Sequence, residues 1–370
     1  MSKKDFNLPA MTSLVGSHYP NLKKVIENRE VSPSLKNRLP RTKLVSLIAQ
    51  PFTWLENKTY NQKIDELKID KAPVFILGHW RSGTTHLHNI MSQDKQFAYV
   101  DTYHGVFPNI LFSGSAIFKN FMKVAMPKKR ATDNVELGVN YPQEEEFAIG
   151  NMCPHSFYNF WYFPNDAIEY YKKYLMFEGI SETEFEEWKT TYQKLVKKAV
   201  LNTGGQRFIS KNPPHTSRVK ELLEIYPDAK FIFLTRNPYT VFESTRKFFR
   251  GTLEGISLQE ISDEKLENNI LEVYKGVHEK YEAEKHLIPS GNLIELRFED
   301  FEEDNFGNLE KIYKELGLEG YNEALPNFKA YIGEKKGYKK NAYNYAPETI
   351  EKVEKHWGFA LDRWNYRLQK

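Results

Sequence analysis

The sequence predicts an α/β fold, three layers deep, with helices covering both faces of a central, mostly parallel sheet. Three observations predict it: short apolar runs recur along the chain, helical patterns separate them, and the connections between runs are long enough to cross over.

The elements follow in order. Residues 1 to 70 read as helical and irregular, with Pro9, Pro20, Pro33, Pro40 and Pro51 punctuating short amphipathic pieces, an N-terminal wrap more than a domain. Residues 71 to 370 then form the main domain. PVFILG at 73 to 78 is a buried strand stopped by Gly78, and THLHNIMS after a short loop is a helix. Residues 99 to 165 show no clean period and are dense in Phe, Tyr and Pro, as expected of an insertion facing a substrate. Ser181 and Glu184 make a capping box ahead of a helix whose Phe185, Trp188, Tyr192, Leu195, Val196 and Ala199 share one face, until Gly204 and Gly205 stop it. RFIS (207 to 210), KFIFLT (230 to 235) and NLIELRF (292 to 298) are further strands. Helices are expected through Val219 to Tyr226, from about 238, across 264 to 287, and through Leu309, Ile312 and Leu316.

Composition narrows the function. The chain has 370 residues, 27% charged and 40% apolar, and its formal charge of +3 comes from lysines scattered among acids. That pattern speaks against a nucleic-acid binder, so any anion site must be local. One cysteine, Cys153, excludes an internal disulfide and fits a reducing compartment. The opening MSKKDFNLPAMTSLVG lacks the apolar run and cleavage site of a secretory signal, and no run of about eighteen apolar residues occurs. A cytoplasmic protein without a transmembrane segment is expected.

GHWRSGTT, residues 78 to 85, has the glycine spacing of a P-loop and lies between a strand and a helix. A nucleoside-triphosphate enzyme has lysine where this chain has Thr84. Arg81 is the only cation in the loop. With the hydroxyls of Ser82, Thr84 and Thr85 at a helix N-terminus, it suits one compact anion better than a triphosphate with magnesium. A P-loop-like nucleotide-binding module without transfer activity is the competing reading, and a degenerate scaffold is a third.

These residues resemble the sulfotransferase superfamily, whose members carry an RSGTT or KSGTT loop after the first strand. A second signature, RNP with a serine eight residues after the arginine, is matched by RNPYTVFES at 236 to 244. The likeness extends over 210 to 238 and 295 to 318, and is strongest to the bacterial subgroup related to tyrosylprotein sulfotransferases. It implies a P-loop-like αβα fold and transfer of a sulfuryl group from 3'-phosphoadenosine-5'-phosphosulfate (PAPS) to a hydroxyl, releasing PAP, with no metal. Arg81, Ser82, Gly83, Thr84 and Thr85 would hold the 5'-phosphosulfate, and Arg236 and Ser244 the 3'-phosphate. Lys211, at the end of the second predicted strand, corresponds to the lysine other members direct at the sulfuryl group. Lys336, Lys339 and Lys340 lie where the family closes over the nucleotide.

A base must take the acceptor's proton, and several candidates stay open. His104 lies near where the protein-tyrosine members place a catalytic glutamate, with Asp101 beside it. Glu144, Glu145 and Glu146 in YPQEEEF form an acidic run, whose bland reading is a solvated face. His215 follows the strand-end lysine by four residues, where soluble members for small alcohols have an interval of two. The aromatic insertion suggests a small acceptor with apolar surface: a phenol, a sterol or a lipid alcohol, with a carbohydrate as runner-up.

Overall fold

A computed structural model describes residues 11–126, 137–334 and 345–368. Two compact units emerge. One comprises residues 1–68, 100–203 and 248–263, and the other residues 69–99, 204–247 and 264–370.

The second unit holds a five-stranded, all-parallel sheet: β1 (Val74–Leu77), β2 (Phe97–Ala98), β3 (Arg207–Lys211), β4 (Lys230–Thr235) and β5 (Leu293–Arg297), in the order β2-β3-β1-β4-β5. The four expected strands are present within a residue or two. The two-residue β2 was not foreseen, because so short a pairing leaves no periodicity to read. Every residue of β1 is buried, as a central parallel strand covered on both faces requires.

Alternation along the strands gives the two faces different chemistry. Val74, Ile76, Ile232, Leu234, Ile294 and Leu296 point into an aliphatic core, together with Leu87 and Ile90 of the helix Thr84–Met91 and Leu309 and Ile312 of Asn305–Glu315. The opposite face is aromatic. Phe75 stacks on Phe231 (5.5 Å between ring centroids), Phe233 on Tyr281 (4.1 Å) and Tyr274 on Trp357 (3.7 Å), placing the helices Asp263–Glu284 and Pro347–Arg363 over that side.

The first unit is helical among its described residues. Its longest helix, Arg38–Glu66, corrects the expectation of short pieces between prolines, since it runs unbroken through Pro51. Pro40 falls in the first turn, where amides have no intrahelical acceptor. Pro51 is exposed, so the carbonyl it leaves unpaired can turn to water. The helix Glu182–Thr203 forms as expected: the Glu184 amide donates to Ser181 Oγ (3.3 Å) and the Ser181 amide to Glu184 Oε2 (3.1 Å). Trp188, Tyr192, Leu195, Val196 and Ala199 are its buried face. Lys198 of this helix makes a buried ion pair with Glu56 of the long helix (2.8 Å), and Glu56 also accepts from the amides of Phe112 (3.0 Å) and Ser113 (2.7 Å).

Candidate active site

Strand order positions the loops. Because β1 lies between β3 and β4, the segments leaving the carboxyl ends of all three open on one edge of the sheet, where the strand order reverses direction.

Residues 78–83 turn from β1 into the helix Thr84–Met91, and only glycine fits at both ends of the turn. Gly78 has φ +141°, and a Cβ there would stand 2.4 Å from the Leu234 carbonyl oxygen of β4. Gly83 has φ +89°, and its Cβ would lie 2.0 Å from the Phe298 ring. Between them Arg81 takes a left-handed backbone, φ +71°, which costs a non-glycine residue about 1 kcal/mol or more. The amides opening the helix have no intrahelical acceptor, and Ser82, Thr84 and Thr85 lie at this helix start.

The loop is tied to both neighbouring segments. The Gly78 amide donates to Thr216 Oγ1 (2.8 Å), in the turn after β3. Arg236, at the end of β4, donates from Nη1 to the Arg81 carbonyl (3.2 Å), and its guanidinium lies 4.6 Å from the centre of the Phe298 ring. Arg81 Nε in turn donates to Ser244 Oγ (2.8 Å). The two sequence motifs, about 160 residues apart, thus form one cluster. Asn237 caps the helix Pro238–Ile256 by accepting from the amides of Tyr239 (3.0 Å) and Thr240 (3.4 Å), which holds Ser244 along the same helix.

Lys211 closes β3 opposite Ile76 and is buried. Its charge, added to burial, holds His88 on the loop helix well below the usual histidine range. His215 is wholly buried in the turn Pro213–Ser217, edge-on to Phe75 at 5.8 Å, and burial with the Arg218 charge keeps it neutral near pH 7.

The remaining candidates lie in the first unit. His104 is fully buried on the short helix Thr102–Val106, and burial, then the Lys198 charge, suppresses its basicity. Asp101 caps that helix through the His104 amide (2.7 Å), and burial raises its pKa. The glutamate run is not a solvated face: Glu145 and Glu146 are both fully buried at the start of the helix Glu145–Met152. Glu146 accepts from Ser156 Oγ (3.1 Å) and the Phe157 amide (3.0 Å), and Glu144 accepts from the Tyr158 hydroxyl. Lys336, Lys339 and Lys340 lie outside the described residues.

Sequence reasoning missed Thr216, Asn237 and Phe298. Asn237 had a signal, as an N-cap residue directly before a proline that opens a helix. Phe298 had none, since its importance comes from lying under both Gly83 and Arg236.

Comparison with known proteins accords with this geometry. The profile of the sulfotransferase family matches residues 73–323. Omega-hydroxy-beta-dihydromenaquinone-9 sulfotransferase Stf3 of Mycobacterium bovis and of Mycobacterium tuberculosis are each 32% identical over 307 residues, covering 83% of this chain and 78% of theirs. Among solved structures, sulfotransferase STF9 from Mycobacterium avium superposes with a TM-score of 0.70 at 16% identity, covering 94% of this chain and 90% of that one. Sulfotransferase STF1 from Mycobacterium tuberculosis gives 0.66 at 16% identity, covering 93% and 94%. The fold, the paired loops, and a family match spanning β1 to β5 lead to one conclusion: this chain belongs to the sulfotransferase family.

Proposed function

We propose that this sulfotransferase takes its sulfuryl group from PAPS and delivers it to the hydroxyl of a small apolar acceptor of the lipid-alcohol class, releasing PAP. The observation that carries the donor assignment is the hydrogen bond from Arg81 to Ser244, with Arg236 on the Arg81 carbonyl. It brings together the two loops whose motifs read as anion sites, as one ligand with two charged ends would require.

In this reading the amides and hydroxyls of Ser82, Gly83, Thr84 and Thr85 hold the 5'-phosphosulfate. Arg236 and Ser244 hold the 3'-phosphate, and Arg81 reaches between the two ends. Lys211 stabilises charge on the sulfuryl oxygens. Lys336, Lys339 and Lys340 are assigned as further donor contacts on sequence grounds alone. For the base, burial weakens His104 and His215, and Glu146 serves its own helix. Glu144 accepts from the Tyr158 hydroxyl, and Glu145, fully buried at the start of the helix Glu145–Met152, is our choice.

The apolar acceptor is supported by the relative named for a hydroxylated dihydromenaquinone. Aromatic clustering in the first unit supports it too: Phe157 meets Phe160 at 4.6 Å, Phe160 meets Trp161 at 4.3 Å, and Trp161 meets Phe249 at 4.7 Å.

The test is thermal stabilisation by PAP. PAP at about 100 times its Kd should contribute roughly 2.7 kcal/mol, a melting shift of a few degrees that Arg236→Ala abolishes. Stabilisation by ATP with magnesium and not by PAP would refute the donor assignment. Glu145→Gln should keep the PAP shift and lower turnover of a prenyl alcohol at least 100-fold. Sulfation of an oligosaccharide in preference to prenyl alcohols, sterols and phenols would refute the acceptor class.

A further inference from the structure

The first half of the long helix Arg38–Glu66 carries apolar side chains on its exposed side. Its buried side is small and polar: Thr42, Ser46, Ala49 and Thr53 face inward, and Ser46 Oγ donates to the Ser17 carbonyl at 2.6 Å. Val45 and Phe52 pack against the core beside them, while other apolar residues point outward. Leu44, Leu47, Ile48 and Leu55 follow helical spacing and are between 42% and 59% exposed, and Trp54 is 63% exposed.

A second stripe lies alongside. In the helical segment 115–125, Ile117, Phe121 and Val124 are 59%, 48% and 79% exposed, and the Phe118 ring meets Phe52 of the long helix edge-on at 5.5 Å. The Phe52–Phe118 seam joins the two stripes into one face. Of the twelve large apolar side chains exposed among the described residues, eight lie on it, so this is a patch and not the usual scatter.

The charge around the patch identifies what covers it. Residues 38–55 contain Arg38, Arg41 and Lys43 and no carboxylate, with Arg38 donating to the Ser257 and Glu254 carbonyls. Residues 115–125 contain Lys119 and Lys123 and no carboxylate, with Lys119 paired to Asp101 at 3.6 Å, so Arg41, Lys43 and Lys123 carry the rim's charge. Lys58 lies over the Trp54 ring at 5.1 Å, an aromatic and a cation together at the rim. A second copy of this chain, docking face to face, would set the same basic rims against each other. An anionic bilayer supplies both an apolar phase for the stripes and negative headgroups for the rim. No helix among the described residues is long and apolar enough to cross a membrane, so contact with the bilayer by these helices would be in its plane.

We propose that this face, centred on Ile48, Trp54, Phe121 and Val124, seats the protein on the surface of an anionic lipid bilayer. The inference rests on the first unit's surface chemistry and is independent of the donor and acceptor assigned above.

The experiment is flotation of the full chain with vesicles of phosphatidylcholine alone or with 30 mol% (about one lipid in three) phosphatidylglycerol. Binding should be at least about tenfold stronger to the anionic vesicles, should weaken as salt is raised, and should fall at least about tenfold in Ile48→Glu/Val124→Glu. Both positions are exposed, so the melting temperature of the double variant should match wild type. A second readout is quenching of tryptophan emission by brominated lipid. It should occur in wild type and be largely lost in Trp54→Phe, because Trp80, Trp161, Trp188 and Trp357 are buried and Trp364 stacks on Phe233 of β4, in the second unit and not on this face. Absence of flotation with anionic vesicles overturns the proposal. So does a concentration-dependent dimer in sedimentation that the double variant abolishes, which would make a second copy the occupant.

Discussion

Gly78 and Gly83 bracket the loop between β1 and the helix Thr84–Met91, and each is required for a different steric reason. At Gly78 the obstacle is backbone, the Leu234 carbonyl of a central strand, which cannot move without disturbing the sheet. At Gly83 it is the Phe298 ring, which also supports Arg236. Gly78→Ala should therefore destabilise the protein by about 2 kcal/mol or more, read as a lowered urea midpoint. Gly83→Ala should weaken PAP binding at least about tenfold in calorimetry, because moving Phe298 shifts Arg236. The loop glycines and both arginines were legible in the sequence, since their spacing is local. The partners that fix them, Thr216 and Phe298, were not, because they come from segments more than a hundred residues away.

Elements that close on local rules form as the sequence predicts. The Ser181 cap is an example, and Ser181→Ala should lower stability by about 1 kcal/mol without affecting PAP binding. The long helix Arg38–Glu66 obeys no such rule: Thr42, Ser46, Ala49 and Thr53 are buried beside Val45 and Phe52 while Leu44, Leu47, Ile48 and Leu55 are exposed, so apolar periodicity does not mark its inward face. Its anchor is the buried pair of Glu56 with Lys198. Removing one partner strands a charge, so Lys198→Met should cost about 3 to 5 kcal/mol in denaturant unfolding. Replacing both, as Glu56→Gln/Lys198→Met, should recover part of that loss. The three glutamates at 144–146 teach the same lesson. Three carboxylates in a row read as solvated, yet Glu146 is buried because Ser156 and the Phe157 amide satisfy it.

At the scale of the whole molecule, several histidines are buried in neutral form, which makes the fold sensitive to acid. His278 stacks on Tyr274 at 4.0 Å, and burial lowers its pKa from 6.5 to about 4. His79, packed nearby, is lowered to about 3. The unfolded chain takes up these protons first as pH falls. The stability they contribute is therefore complete above about pH 6.5 and declines as pH drops through 4. Shifts of this size are worth on the order of 3 to 5 kcal/mol per group. The melting temperature should fall steeply between pH 6.5 and 4.5, and His278→Phe, which keeps an aromatic ring against Tyr274, should flatten that slope.

The alternation of strands and helices, the parallel αβα class and the RSGTT and RNP motifs can be read straight from the residues, because each depends on neighbours within a few positions. Only the tertiary structure decided that β1 runs between β3 and β4. That order brings the 78–85 loop, Lys211 and Arg236 to one edge and links Arg81 to Ser244, and packing within the first unit buries Glu145 and Glu146. Strand order and burial are set by pairing and packing across long sequence separations, and no local pattern of residues encodes them.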